Sequence, residues 1–244
     1  TDAVFMRFTP NGAADPSFGS NGRVVVDGGN RSNAAVAAEL QLDGRVVGCG
    51  YLDTVDNPLN ADYWLVRLAA DGSLDASFGN GGTVTKEFDG WRFENANACE
   101  LLPDGRILVV GSSGNPGSAD QGVVRFLADG RVDTTFGTAG LVRDSSSPRS
   151  DQLSSVEPQP DGSAFVAGVI DSDSNGVSND PFVRRLGADG RFDPTFGVGG
   201  LAIVDFGYQD EPSQADAMSF TRQADGKRGG ARRQGVGDSV RSHR

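Results

Sequence analysis

One stretch of the chain has the spacing of a cation site. It reads Asp171-Ser-Asp173-Ser-Asn175-Gly176-Val-Ser-Asn179-Asp180, with side-chain oxygens at positions 1, 3, 5 and 9 and glycine at 6. Alternate oxygens of that kind converge on a hard cation such as Ca2+, and the glycine permits the sharp turn. Asp171, Asp173, Asn175 and Asn179 are the candidate ligands. The pattern is incomplete, because Phe182 stands where a bidentate glutamate would close the shell. Runs of Asp, Asn, Ser and Gly also form ordinary loops, and that reading stands beside calcium.

Two further clusters combine an aromatic ring with charge: Trp91, Arg92 and Glu94, and Tyr208, Asp210 and Glu211. An aromatic platform beside carboxylates suits a sugar, and paired carboxylates can hydrolyse a glycosidic bond. Nothing in the spacing separates an acid from a base, and solvated loop residues would look the same. Asp15, Asp75, Asp133 and Asp193 recur along the chain with their surroundings. A catalytic constellation is asymmetric, so fourfold recurrence points to structure: capping of backbone N–H groups, or pairing with the equally repeated Arg7, Arg67, Arg125 and Arg185. The sole histidine is His243, near the end of the chain, so histidine triads, metal sites and general bases are excluded from the body. Cys49 and Cys99 are too few for a disulfide framework. Two small buried thiols are the first expectation, and a cross-blade disulfide in an exported protein is the second.

These side chains must be positioned by a repeat. Four segments align, starting at Val4, Trp64, Val123 and Phe182, and their central phenylalanines are Phe18, Phe78, Phe136 and Phe196. Between them recurs a second unit, ELQLDGRVVGCG, ELLPDGRILVVG and VEPQPDGSAFVAG, with a damaged last copy, FTRQADGKRGG. Asp-Gly pairs sit between apolar runs in both units, with Asn11-Gly12 in the first copy. Such pairs tolerate positive φ and predict two-residue hairpin turns. The flanking runs are short and rich in β-branched and aromatic residues, as strands are. Each period of about sixty residues therefore holds four antiparallel strands, a to d. A four-stranded sheet hides both faces only against neighbours of its own kind. The expected fold is all-β, a β-propeller of about four such blades, incomplete or part of a larger ring. The repeated phenylalanines are its wedges between blades.

The recurring LxADGxxDxSFGxxG pattern resembles the delta-60 repeat family of bacterial β-propeller repeats, over nearly all of residues 1–226. The resemblance implies a propeller in a secreted or surface-associated protein and brings no catalytic residues with it. The divisions expected are a c–d half blade (1–32), three whole blades (33–93, 94–150 and 151–213) and an a–b half blade (214–226). After residue 226 the chain turns basic and loses strand periodicity. A shifted reading frame or a disordered arm explains this, and residues 227–244 are expected to be poorly ordered. The chain starts at Thr1 in a strand-like run, which reads as a processed or truncated product with no visible signal peptide.

Alternating strand directions put every Asp-Gly turn and SFGxxG connection on one face. The d–a and b–c loops, which vary in length and composition, fall on the other, where binding is expected. Of the net charge of -11, residues 1–221 carry -16 and residues 222–244 carry +5. An acidic body repels phosphate backbones, so nucleic acid is not an expected partner. No apolar run is long enough for a membrane helix. The resulting expectation is a non-catalytic, exported binding or structural module, outside the cell, on its surface or in the periplasm. Its ligand would be a protein or a carbohydrate on the variable-loop face. A carbohydrate hydrolase or lyase, with or without calcium assistance, is one alternative. A subunit that self-associates through open propeller edges is another.

Overall fold

The computed structural model describes residues 1–53, 61–88, 93–115, 118–144, 151–170, 180–203, 218–222 and 228–232. Its elements are all strands. An N-terminal pair, β1 (Ala3–Met6) and β2 (Arg23–Val26), forms the c–d half blade. The first whole blade holds β3 (Asn33–Leu40), β4 (Val46–Asp53), β5 (Ala61–Leu68) and β6 (Thr83–Lys86). The second holds β7 (Phe93–Leu101), β8 (Ile107–Asn115), β9 (Ser118–Phe126) and β10 (Leu141–Asp144). The third holds β11 (Gln152–Pro158), β12 (Ala164–Ile170), β13 (Asp180–Leu186) and β14 (Ala202–Ile203). A last pair, β15 (Met218–Arg222) and β16 (Arg228–Arg232), is the a–b half. Within each whole blade the strands pair antiparallel in chain order, and one parallel bridge, Ala61 to Phe93, links the first two blades. No helix among the described residues is long and apolar enough to cross a membrane.

The apolar cores lie between successive sheets, as radial stacking requires. Phe5 and Phe18 of the N-terminal half pack with Trp64 and Val66 of the first blade. Tyr63, Leu65 and Phe78 of that blade pack with Val109, Val124 and Phe126 of the second. Leu108, Val110 and Phe136 of the second pack with Val166, Phe182 and Leu186 of the third. Alternate residues of one strand thus serve two different cores, so both faces of the first two whole blades are covered. Each large side chain so buried contributes about 1.5–3 kcal/mol.

The a strand of each whole blade carries a bulge at the same place, between Ala35 and Ala37, Ala96 and Ala98, and Leu153 and Ser155. Opposite it stand Gly50, Gly111 and Gly168, where any Cβ would overlap the carbonyl of Ala34, Asn95 or Gln152. That clash is the physical reason for a glycine in the middle of the b strand of each whole blade.

Two expectations need correction. The Asp-Gly hairpins are three-residue loops rather than two-residue ones: Gly44 N donates to Gln41 O and Gln41 N to Arg45 O, and Gly44 has positive φ while Asp43 does not. The aspartate instead accepts from the backbone N–H two residues on, as Asp43 does from Arg45 and Asp104 from Arg106. A type I turn followed by a left-handed glycine fits this geometry, so only one positive φ is needed. The second correction concerns the cysteines: Cys49 of β4 and Cys99 of β7, expected first as two buried thiols, form a disulfide across two blades. Residues 228–232 form β16, with Arg228 opposite Arg222 and Arg232 opposite Met218. Backbone pairing with β15 is satisfied by glycine and arginine without an apolar side-chain pattern.

Candidate functional site

The turn face is built from the repeated residues. Arg67 Nε lies 2.8 Å from Asp75 Oδ2, and Arg125 Nε 2.8 Å from Asp133 Oδ2. The second oxygen of each aspartate accepts from residue i+2, both backbone N–H and hydroxyl: Ser77 for Asp75 and Thr135 for Asp133. Each guanidinium lies over the repeated phenylalanine, Arg67 at 4.6 Å from the Phe78 ring centre and Arg125 at 4.4 Å from that of Phe136. Both structural roles expected for the aspartates are therefore present in one arrangement. A second arginine nitrogen, Nη1, reaches the next blade. Arg7, Arg67 and Arg125 Nη1 donate to the carbonyls of Ala70, Ala128 and Ala188 at 2.5, 2.5 and 2.6 Å. Beside each, the N–H of Gly19, Gly79 or Gly137 donates to the carbonyl of Asp71, Asp129 or Asp189. These joints hold successive blades at a fixed angle and engage the repeated charges with protein groups.

The opposite face carries the residues expected to bind. Trp91, Arg92, Tyr208, Asp210, Glu211 and the calcium-pattern residues Asp171, Asp173, Asn175 and Asn179 lie outside the described residues. Glu94 is described, and it is fully buried at the start of β7. Both of its carboxyl oxygens accept from Phe88 N, at 2.8 and 2.9 Å. Its place in the first blade belongs to Asn33, which accepts from Ala3 N and donates to Val26 O. Both side chains tie an a strand to the preceding blade. Burial pushes the Glu94 carboxyl up to about 8, against the pull of the Phe88 N–H, with Asp62 and Glu87 raising it further. Nearby Asp62 is raised first by burial and then by Glu87, and its Oδ1 has no hydrogen-bond partner. Tyr63 lies below this group, with its hydroxyl donating to Ser112 O at 3.1 Å and its ring edge-on to Phe88.

The innermost strands β3, β7 and β11 approach one another and bring together Glu39, Glu100 and Glu157. Burial, then the charges of Glu39 and Glu157, push Glu100 up to about 7. A cleft of about 460 Å³ runs between the first two of these strands, lined by Glu39, Gln41, Leu42, Glu100 and Leu102 among others. The signal for this group stands in the sequence: a glutamate four residues before Asp43, Asp104 and Asp161.

Both raised glutamates fold more readily protonated than charged. Their stabilisation is complete below the ordinary value of 4.5 and is lost as pH rises through about 7 and about 8. Melting temperature should therefore fall between about pH 5 and about pH 9. The Glu94→Gln and Glu100→Gln variants should show a flatter profile by thermal denaturation, whereas a profile unchanged in both would refute the assignment.

Three stretches, residues 41–78, 102–136 and 159–196, match a family model described as a domain of unknown function (DUF5122) beta-propeller. The fold is a β-propeller. Each match runs from the a–b turn to the repeated phenylalanine, so it contains the arginine, aspartate and aromatic ring of one joint. No curated protein matches the chain.

Proposed function

We propose that the chain is a non-catalytic, exported β-propeller module of delta-60 type that binds a protein or carbohydrate on its variable-loop face. The observation carrying this reading is the joint. Repeated Arg, Asp and Phe residues engage one another and the next blade, which leaves chemical variety to the other face. Glu94 has the raised pKa of a general acid, but its full burial and its bonds from Phe88 N support a latch instead. A disulfide between Cys49 and Cys99 supports an oxidising compartment. The acidic body supports a partner other than nucleic acid.

On this reading the protein releases no new reducing ends and no unsaturated sugar products from a panel of soluble polysaccharides. Turnover that disappears in Glu94→Gln would overturn it in favour of a glycosidase or lyase. The 171–180 pattern has its own test, which is melting with millimolar calcium and then with excess chelator. A rise in melting temperature that the chelator reverses adds a calcium site to the module, and an unmoved transition removes it.

A further inference from the structure

Four Asn-Gly pairs occur in the sequence, at 11–12, 21–22, 80–81 and 175–176. In such a pair the glycine backbone nitrogen can attack the carboxamide carbon of the asparagine, because glycine carries no side chain to obstruct the five-membered ring. A C–N bond forms, ammonia leaves, and water then opens the resulting succinimide to aspartate or isoaspartate. No other reagent is needed. The rate depends on whether the carboxamide is free to turn toward that nitrogen and whether the nitrogen is already held. The pair at 175–176 lies outside the described residues. The other three differ in both respects.

The first pair is held at both groups. Asn11 Oδ1 accepts from the Thr9 hydroxyl and from Ala13 N, and Gly12 N donates to Thr9 O at 2.8 Å. The second is held at the nitrogen: Gly22 is buried, and its N–H donates to Phe18 O at 2.8 Å. The third sits one residue earlier in the equivalent connection, which reads Ser20-Asn21-Gly22-Arg23 in the first copy and Asn80-Gly81-Gly82-Thr83 in the second. Here Gly82 N makes the matching bond, to Phe78 O. Gly81, with φ of +64°, stands at the tip of the turn, where a Cβ would meet nothing within 4 Å. Asn80 and Gly81 are both exposed. Among the described residues, no hydrogen bond holds the Asn80 carboxamide or the Gly81 N–H.

We infer that Asn80 is a site of spontaneous deamidation, which the fold favours over Asn11 and Asn21. Its surroundings give the product a consequence. Gly79 N donates to Asp129 O across the joint between the first two whole blades, and Asn80 O accepts from the N–H and the hydroxyl of Thr83. Isoaspartate routes the main chain through the former side chain. It therefore adds one backbone carbon to this turn, displaces the carbonyl that Thr83 uses, and places a new carboxylate beside the joint. Ser20, Thr138 and Val198 stand at this position in the other copies, so the change is confined to one joint.

The test is peptide mapping of the 244-residue chain by mass spectrometry, after storage in mildly alkaline buffer and, in parallel, in concentrated urea. In urea Asn11, Asn21 and Asn80 should convert at similar rates. In buffer Asn80 should convert about tenfold faster than Asn11 or Asn21, whose glycine nitrogens must first release a hydrogen bond. The stored parent should also melt lower than fresh protein, whereas Asn80→Ser, which installs the residue of the first copy, should keep its transition over the same period. Equal conversion of the three sites in buffer, or an Asn80 that converts in urea but keeps its amide in buffer, would overturn the inference. A stored Asn80→Ser chain that loses stability as fast as the parent would overturn the consequence drawn for the joint.

Discussion

Replacing Cys49 and Cys99 together with alanine should destabilise the propeller by about 4 kcal/mol, from the chain entropy of a cross-link spanning 50 residues. For a chain of this size, that is a fall in melting temperature of about 8–16 °C. The bond joins β4 of the first blade to β7 of the second, with Cα atoms 6.2 Å apart, and both sulfur-bearing residues are buried in the core between those blades. It therefore acts where two sheets must stay in register, and burial shields it from reductants while the protein is folded. Peptide mapping without reductant should recover one linked Cys49–Cys99 pair. A double variant that melts within about 2 °C of the parent would mean that the cross-link does not constrain the unfolded chain.

Asp133→Ala should cost a comparable amount, about 3–5 kcal/mol, because it strands the Arg125 guanidinium between two blades without its counter-charge. The pair is nearly fully buried, and Arg125 also holds the Ala188 carbonyl across the joint. The matching change in the third blade, Asp193→Ala, should cost far less, since Arg185 and Asp193 are partly exposed and 3.6 Å apart. Comparing the two by urea denaturation isolates the contribution of a filled joint. Acid should act on the same group. Burial alone would raise the Asp133 carboxyl, but the hydroxyl and backbone N–H of Thr135, with Arg125, outweigh it and hold it at about 2. A carboxylate with a lowered folded pKa stabilises above its ordinary value of 3.8 and loses that stabilisation as pH falls toward 2. Equal costs at both positions would contradict the role given to the joint.

Recurrence of Arg67, Asp75 and Phe78 at fixed spacing made the blades, their strand order and the structural role of the aspartates legible from sequence. The repeat says that a position is used four times, and a group used four times is a scaffold group. It says less about where a side chain points. Glu94 seemed unrepeated because Asn33 and Asp151 occupy its place with different side chains. All three are buried polar groups at the start of an a strand, and the inter-blade bonds seen for Asn33 and Glu94 can be made by an amide or a carboxyl. Glu39, Glu100 and Glu157 were visible as a repeat, but their convergence depends on curvature between blades, which one-dimensional spacing does not carry. The Cys49–Cys99 bond failed to stand out for the same reason: one residue sits in a b strand, the other in the next a strand, and only the packing angle brings them within reach. The three-residue hairpins were misread because Asp-Gly serves both turn types, and only the backbone hydrogen bonds separate them.

The central claim is that these sheets stand side by side around an axis, joined through the arginine of each blade and a carbonyl of the next. A crystal structure of the 244-residue chain tests it most directly. The account predicts Arg67 on the Ala128 carbonyl and Arg125 on the Ala188 carbonyl, with Glu39, Glu100 and Glu157 converging at the inner strands. Two β layers packed face to face, with those guanidinium groups directed into solvent, would contradict it.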